Sequence, residues 1–196
     1  MRERWFADDR DLVKWSSLLH VARQHRLARI LQVAYMRTDE TPVVTIGADD
    51  ILVDPAVWSF FRDLRRVREL GATVGIAIEV ICDTFDPRHR IAYASAVVGA
   101  IDSVNSAPLL LFLDPDTGLQ PLRAGAVHVH RDEVQRYWSA LRAGDVLALY
   151  QHARHDTTWA ADVTSELSSL CGDAVVEVAR SADVGKDVAL LFARKE

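Results

Sequence analysis

The sequence predicts an α/β fold: a three-layer, mostly parallel sheet with helices on both faces and an antiparallel hairpin at the carboxyl end. Three observations predict it. Apolar runs of strand length, Leu109–Leu113 above all, lack polar alternation and read as strands buried on both faces. These runs alternate with segments of helical periodicity, and right-handed crossovers turn such alternation into a parallel sheet. Two further apolar segments, 174–179 and 187–193, close the chain across a turn that contains Gly185.

The 196 residues fit one sizeable domain, 1–196, and are too few for two ordinary ones. With 49% hydrophobic and 26% charged residues the composition is that of a globular chain. The formal net charge of −5 gives no overall basic field to recruit nucleic acid, though a local basic patch remains open. No apolar run approaches a membrane span, and Met1-Arg2-Glu3-Arg4-Trp5 is no signal core. Cys82 and Cys171 lie far apart and outside any Cys-x-x-Cys pair, which points to two reduced thiols in a cytoplasmic protein.

Asp8, Asp9 and Asp11 precede Leu12, Trp15, Leu18, Leu19 and Ala22, an acidic start to a helix that ends near Arg23 and Arg26. Residues 29–36 read as the first strand, ended by Arg37-Thr38-Asp39-Glu40-Thr41-Pro42. Val43–Ile46 has the length of a short edge strand. Asp54-Pro55 supplies an N-cap and a proline at the first helical position, and Val57, Phe60, Phe61, Leu64 and Val67 form the stripe of a helix that Gly71 stops. Its Arg62, Arg65, Arg66 and Arg68 read as a solvated face, or more sharply as a patch that tracks phosphate. Residues 74–81 form the next strand. Arg88 to about Asn105 is helical, with Ile91, Ala94, Val98 and Ile101 in phase. After the central strand comes a loop of about 117–129, long enough to suggest function. Arg131–Leu141 is a helix, 145–150 a buried strand, and Asp156 or Thr157 caps a helix through Leu170.

The central strand runs into Asp114-Pro115-Asp116-Thr117-Gly118-Leu119. Pro115 cannot extend a ladder and Gly118 permits a tight turn, so the strand delivers Asp114 and Asp116 to the rim where open α/β sheets bind ligands. Other strands bring Asp39, Glu40, Asp83, His152, Arg154 and His155 toward that rim. Asp114, Asp116 and His152 form a candidate metal set for Mg²⁺ or Mn²⁺, in which His152 is a ligand or general base and Arg154 or Lys14 stabilises negative charge. Each feature has a plain alternative. Asp-Pro-Asp-Thr-Gly is good turn chemistry by itself, His152 can cap a carbonyl, Lys14 can be solvated, and the His128-x-His130 pair is metal spacing on a strand but solvent-exposed on a loop. The chain has no Gly-x-Ser-x-Gly elbow, Walker loop, zinc-type Cys/His set or Gly-x-Gly-x-x-Gly.

The order of elements resembles the class I (Rossmann-like) methyltransferase fold. Phe6-Ala7-Asp8-Asp9-Arg10-Asp11-Leu12-Val13-Lys14-Trp15 resembles the Phe-Ala-Asp-Val-Leu-Lys-His opening of a ribosomal-RNA adenine-N6-methyltransferase family. Leu113–Gly118 is similar to the Asp-Pro-Pro-Tyr motif of amino-methyltransferases and closer to the Asp-Pro-Phe/Tyr-Gly motif of three-Cys-motif partner proteins. Asp11, Lys14, Thr38-Asp39, Asp114 to Leu119 and Tyr150-Gln151-His152 also resemble the ordered signature of a group of bacterial proteins that carries no assigned activity. The resemblance implies S-adenosylmethionine as cofactor, with Asp39, Lys14 and Tyr35 beside it and Asp114 accepting a hydrogen bond from a substrate amine. One departure stands out. Methyltransferases end the first strand in a glycine-rich turn, and Tyr35-Met36-Arg37-Thr38-Asp39-Glu40 has no glycine. Asp116-Thr117 likewise stands where a base-stacking residue is expected.

Three functions therefore compete: amino-methyl transfer to a nucleic acid or nucleotide, a metal-dependent phosphodiesterase or nuclease (a hydrolase using Asp114, Asp116 and His152), and a non-catalytic binding module. The first strand's turn discriminates. Methyl transfer needs open space beside Tyr35 to Thr38, hydrolysis needs close carboxylates, and a module needs neither.

Overall fold

The computed structural model describes residues 6–37, 43–46, 49–54, 56–57, 62–104, 107–121, 125 and 127–196. Asp8 caps α1 (Asp9–Gln24), its carboxylate accepting from the amides of Arg10 and Asp11, with Asp9 and Asp11 in the first turn at the positive end of the dipole. Strand β1 (Arg29–Val33) follows, then β2 (Val43–Ile46), β3 (Asp49–Leu52), α2 (Val67–Val74), β4 (Ala77–Ile81), α3 (Arg90–Ser103) and β5 (Leu109–Leu113). The chain continues through β6 (Gly118–Leu119), β7 (His128–Val129), α4 (Arg131–Ala140), β8 (Val146–His152), α5 (Trp159–Leu170), β9 (Val176–Ala179) and β10 (Val188–Arg194).

The main sheet has six strands in the order β4-β1-β5-β8-β10-β9. The first four run parallel, and β10 is antiparallel to both β8 and β9. The chain builds from β1 outward to β4 and then returns to the other side of β1 with β5, so the order reverses between β1 and β5. That switch point is where doubly wound sheets bind ligands.

Strand periodicity assigns each side chain to a layer. Ile30, Ala34, Leu110, Phe112, Val146, Ala148 and Tyr150 face α1 and α2. Leu31, Val33, Tyr35, Leu109, Leu111, Leu113, Leu147 and Leu149 face α3, α4 and α5. Every residue of β5 is at most 1% exposed. Each large apolar side chain buried there contributes roughly 2 kcal/mol.

Several local expectations change. Gly71 does not stop its helix: it lies inside α2, where a Cβ would come within 2.6 Å of the Ile76 carbonyl, and Gly75 at φ +71° ends it. The following strand starts at Ala77 rather than Val74, and α5 takes Thr158 as its N-cap. Val43–Ile46 is no edge strand of the main sheet. It pairs antiparallel with β3 in a separate hairpin. The long loop carries a parallel two-residue ribbon, Gly118 opposite His128 and Leu119 opposite Val129. Phe60, Phe61, Asp39 and Glu40 lie outside the described residues. Among the described residues no helix is long and apolar enough to cross a membrane. Both cysteines are free thiols, and burial pushes Cys171 up to about 12.

Gly118 is the glycine that the fold requires most visibly. Its φ is +117°, and a Cβ would fall inside the Gln151 carboxamide. That carboxamide accepts from the Leu119 amide at 2.9 Å and donates to the carbonyls of Thr117 (3.2 Å) and His152 (2.7 Å). Gly118→Ala therefore incurs both backbone strain and overpacking, and urea unfolding should show a loss of at least about 2 kcal/mol. A loss below about 0.5 kcal/mol would mean that the turn relaxes at no cost.

Candidate functional site

The Asp114 side chain ends up on the α1 face of the sheet, following Leu110 and Phe112 by strand parity. Lys14, on the buried side of α1, points down onto it. Its Nζ lies 3.3 Å and 3.4 Å from the two Asp114 oxygens and 2.9 Å from Asp11 Oδ1. Gln32 Nε2 donates to Asp114 Oδ2 at 2.8 Å, and the ammonium sits 4.6 Å from the Tyr150 ring centroid. Asp11 in turn accepts the Ala7 amide at 2.6 Å. Asp114 is 1% exposed and Lys14 is 5% exposed. Burial works against the charged ammonium, but Asp114 and Asp11 outweigh it and hold the Lys14 pKa above the ordinary lysine value. Burial also raises the Asp11 carboxyl, against the pull of Lys14.

The rest of the signature attaches to this pair. Tyr150 OH lies 3.0 Å from His152 Nε2, and His152 Nδ1 is 3.6 Å from Asp187. Arg10 bridges Asp187 at 2.7 Å and Asp8 at 3.0 Å, tying the start of α1 to the start of β10. Burial lowers the His152 pKa, and Arg10 and Lys14 lower it further against Asp187. The imidazole is therefore neutral in a folded protein at neutral pH.

Asp116 takes a different cation. Arg37 Nη1 donates to it at 2.8 Å. Burial opposes its charge, but the surrounding cations, Arg37 among them, prevail and lower its pKa. The expected convergence of Asp114, Asp116 and His152 on one ion is thus not what the geometry gives. Lys14 serves the first, Arg37 the second, and Tyr150 with Asp187 the third. Among the described residues no three His, Cys, Asp or Glu side chains gather into a metal-holding group. The physical reason is charge: a site whose carboxylates already hold an ammonium and a guanidinium has little unbalanced negative charge for Mg²⁺ or Mn²⁺. Asp83 and His155 are exposed and stand apart. Arg65, Arg66 and Arg68 are exposed, as a solvated face requires, whereas Arg62 is half-buried and donates to the Phe6 carbonyl at 2.9 Å.

An adenosyl cofactor would need room at the carboxyl end of β1. Tyr35 stands there with φ +47°, a left-handed conformation that glycine adopts without strain, and it is 2% exposed. Its ring packs against Phe85 (5.2 Å) and Tyr93 (5.4 Å), and its hydroxyl lies 3.4 Å from that of Tyr137. Burial raises the pKa of this phenol well above the usual value. Met36 bridges Thr84 in parallel, and its carbonyl accepts the Phe85 amide at 2.6 Å, so past the Tyr35 bend the chain stays beside the segment that follows β4. At the described end of β1 an aromatic cluster, and no glycine, borders the place that a glycine-rich turn would open, and Thr38, Asp39 and Glu40, which continue the turn, lie outside the described residues.

Sequence reasoning missed Gln32, Arg10 and Asp187. Gln32 carried a signal, as the lone polar residue amid the apolar part of β1. Arg10 and Asp187 carried none, because they meet only when β10 inserts beside β8.

Removing one partner of the buried pair leaves an uncompensated charge. Lys14→Met and Asp114→Asn should each cost about 3–5 kcal/mol by urea unfolding, and the double variant much less than their sum. Additive losses would show that the two groups do not interact. On the alkaline side the raised lysine pKa means that the pair's contribution is lost only as pH rises above the ordinary lysine range. For His152 the sign is opposite: a lowered folded pKa means that the unfolded chain binds protons first, so stability falls as pH drops below about 6.5. His152→Gln should flatten that part of the stability profile, and an unchanged slope would remove His152 as its source.

No family model and no curated protein matches the sequence. Similar solved structures exist. A candidate methyltransferase from Thermobifida fusca YX aligns with a TM-score of 0.50 at 12% identity, over 96% of this chain and 80% of that one. Human methyltransferase-like protein 13 in complex with SAH gives 0.43 at 15% identity over 87% and 72%. A DUF574 family protein from Streptomyces avermitilis MA-4680 gives 0.44 at 12% identity over 96% and 82%. The first of these, with the strand order and the closing antiparallel hairpin, shows a methyltransferase-like Rossmann fold.

Proposed function

We infer that this chain is a binding module built on the methyltransferase-like fold, and that Asp114 serves it as a structural anion. One observation carries the reading: the carboxylate that would receive a substrate amine is already saturated by the Lys14 ammonium and the Gln32 amide, out of contact with solvent. An amine arriving at Asp114 would have to displace a buried, doubly paired cation. Breaking such a pair costs several kcal/mol before any chemistry begins. The aromatic packing of Tyr35 at the described end of β1 supports the same reading from the other face of the sheet.

Methyl transfer remains the second reading, favoured by the position of Asp114-Pro115 at the switch point of this fold. It requires the Tyr35 ring to leave its aromatic neighbours and Lys14 to leave Asp114. A nucleic acid or small-molecule substrate belongs to this reading, and a protein partner belongs equally to the first.

Isothermal calorimetry with adenosylmethionine and with its demethylated product separates the two. The module reading expects no binding of either ligand to the wild type, and none to Asp114→Ala. Micromolar binding by the wild type would overturn it, because that affinity requires a formed cofactor site. Tyr35→Gly then reports on the turn: affinity that appears only in this variant would identify the tyrosine ring as the obstruction.

A further inference from the structure

The ribbon of β6 and β7 assembles a group of donors that neither the buried ion pair nor the aromatic cluster uses. Arg154 lies just beyond β8 and is half-buried, with Nη2 donating to the Leu119 carbonyl at 3.1 Å. Among the described residues no carboxylate pairs with it. One anchoring bond to a carbonyl leaves most of its five N–H donors available. His128 faces Gly118 across the ribbon, one residue pair from Leu119. The Gly125 amide donates to His128 Nδ1 at 3.2 Å. Nδ1 is therefore the acceptor, and the neutral ring carries its proton on Nε2, where it is a donor. The His128 carbonyl accepts from both terminal nitrogens of Arg90 at 3.2 Å, which fixes the residue from its backbone side. His130 follows two residues on.

Of the two guanidinium groups near these residues, one is paired and one is not. Arg90 is balanced by Glu133, which also takes the His130 amide at 2.8 Å, so neither of those is left to bind a ligand. Arg154 has no such balance. Burial lowers the pKa of His128, and Arg154 and Arg90 lower it further. At His130 burial and Arg90 act in the same direction, with Asp132 partly offsetting them. Beside the His-x-His pair, the Arg154 guanidinium, which no described carboxylate balances, favours an anion over a metal ion.

We propose that Arg154 and the Nε2–H of His128, with His130 beside them, form a binding site for a phosphate group at the β6–β7 ribbon. A guanidinium fork matches two phosphate oxygens, and an imidazole donor supplies a third contact. The site deepens the binding-module reading by naming a ligand chemistry. The phosphate comes from one of two sources, a free nucleotide or the backbone of a single-stranded nucleic acid.

The test is a calorimetric titration of the full chain with inorganic phosphate, AMP and a short oligothymidylate. It uses the wild type, Arg154→Met, Arg154→Lys and His128→Ala. Saturable binding by the wild type is expected, weakened about tenfold or more in Arg154→Met and partly restored in Arg154→Lys, with His128→Ala also weakened. Tighter binding of AMP than of the oligothymidylate assigns the source to a free nucleotide, and the reverse assigns it to a nucleic-acid backbone. Unfolding in urea checks that each variant is folded, and His128→Ala decides the matter if Arg154→Met is not. Failure of all three probes to bind the wild type, or equal affinity in the wild type and in the folded variants, overturns the proposal. Adenosylmethionine binding would overturn the module reading and leave this site standing, so the two failures are distinguishable.

Discussion

The buried ammonium of Lys14 is the constraint to which the rest of this structure answers. A charge taken out of water is tolerated only when compensated, and here two carboxylates, one of them held by the Gln32 amide, and an aromatic face compensate it. The compensation joins distant parts of the chain: α1 supplies the cation, β1 supplies Gln32, β5 ends in Asp114, and β8 supplies Tyr150. Because an unpaired member would be costly, the four elements can adopt only one relative register. The pair thus acts as a key for packing α1 onto the sheet, a role that an apolar contact of equal size would fill with less specificity.

A second interlock holds the opposite face. Gln151 occupies the space that Gly118 leaves and satisfies one amide and two carbonyls around the turn that follows Asp116. Tyr150, Gln151 and His152 therefore serve three purposes by strand parity. Tyr150 looks toward Lys14, Gln151 toward the Gly118 turn, and His152 back toward Tyr150 and Asp187. The three stretches of the sequence signature, the acidic opening with its lysine, Asp-Pro-Asp-Thr-Gly-Leu and Tyr-Gln-His, are parts of one connected hydrogen-bonded assembly.

The ligand position of the fold is treated in a matching way. Tyr35 holds a backbone conformation suited to glycine and pays for it with strain of about 1 kcal/mol or more, offset by burial of its ring among Phe85 and Tyr93. Among the described residues, Arg154 and His128 lie farther along the rim, at the ribbon that connects the central strand to α4. A fold shared with methyltransferases therefore specifies where the strands end, and leaves to individual side chains what can be bound there.

The sequence by itself determined the layers and their order. Unbroken apolar runs identified buried parallel strands, helical stripes separated them, and a final pair of segments announced the antiparallel hairpin, because period and run length are local properties of the chain. The same locality let Asp114, Lys14 and His152 be singled out as unusual. It misplaced the end of α2, since Gly71 and Gly75 look alike until the close approach of Ile76 shows which one needs to lack a side chain. What only the tertiary structure decided was the facing of the polar residues. A strand such as Leu109–Leu113 is apolar at every position, so its sequence holds no parity by which to tell which face Asp114 will join. Parity, together with the insertion of β10 beside β8, sent Asp114 to Lys14, Asp116 to Arg37 and His152 to Asp187. A set of residues that read as one site along the chain is held by separate partners, because Asp114, Asp116 and His152 each meet a residue brought near by the fold rather than by the sequence.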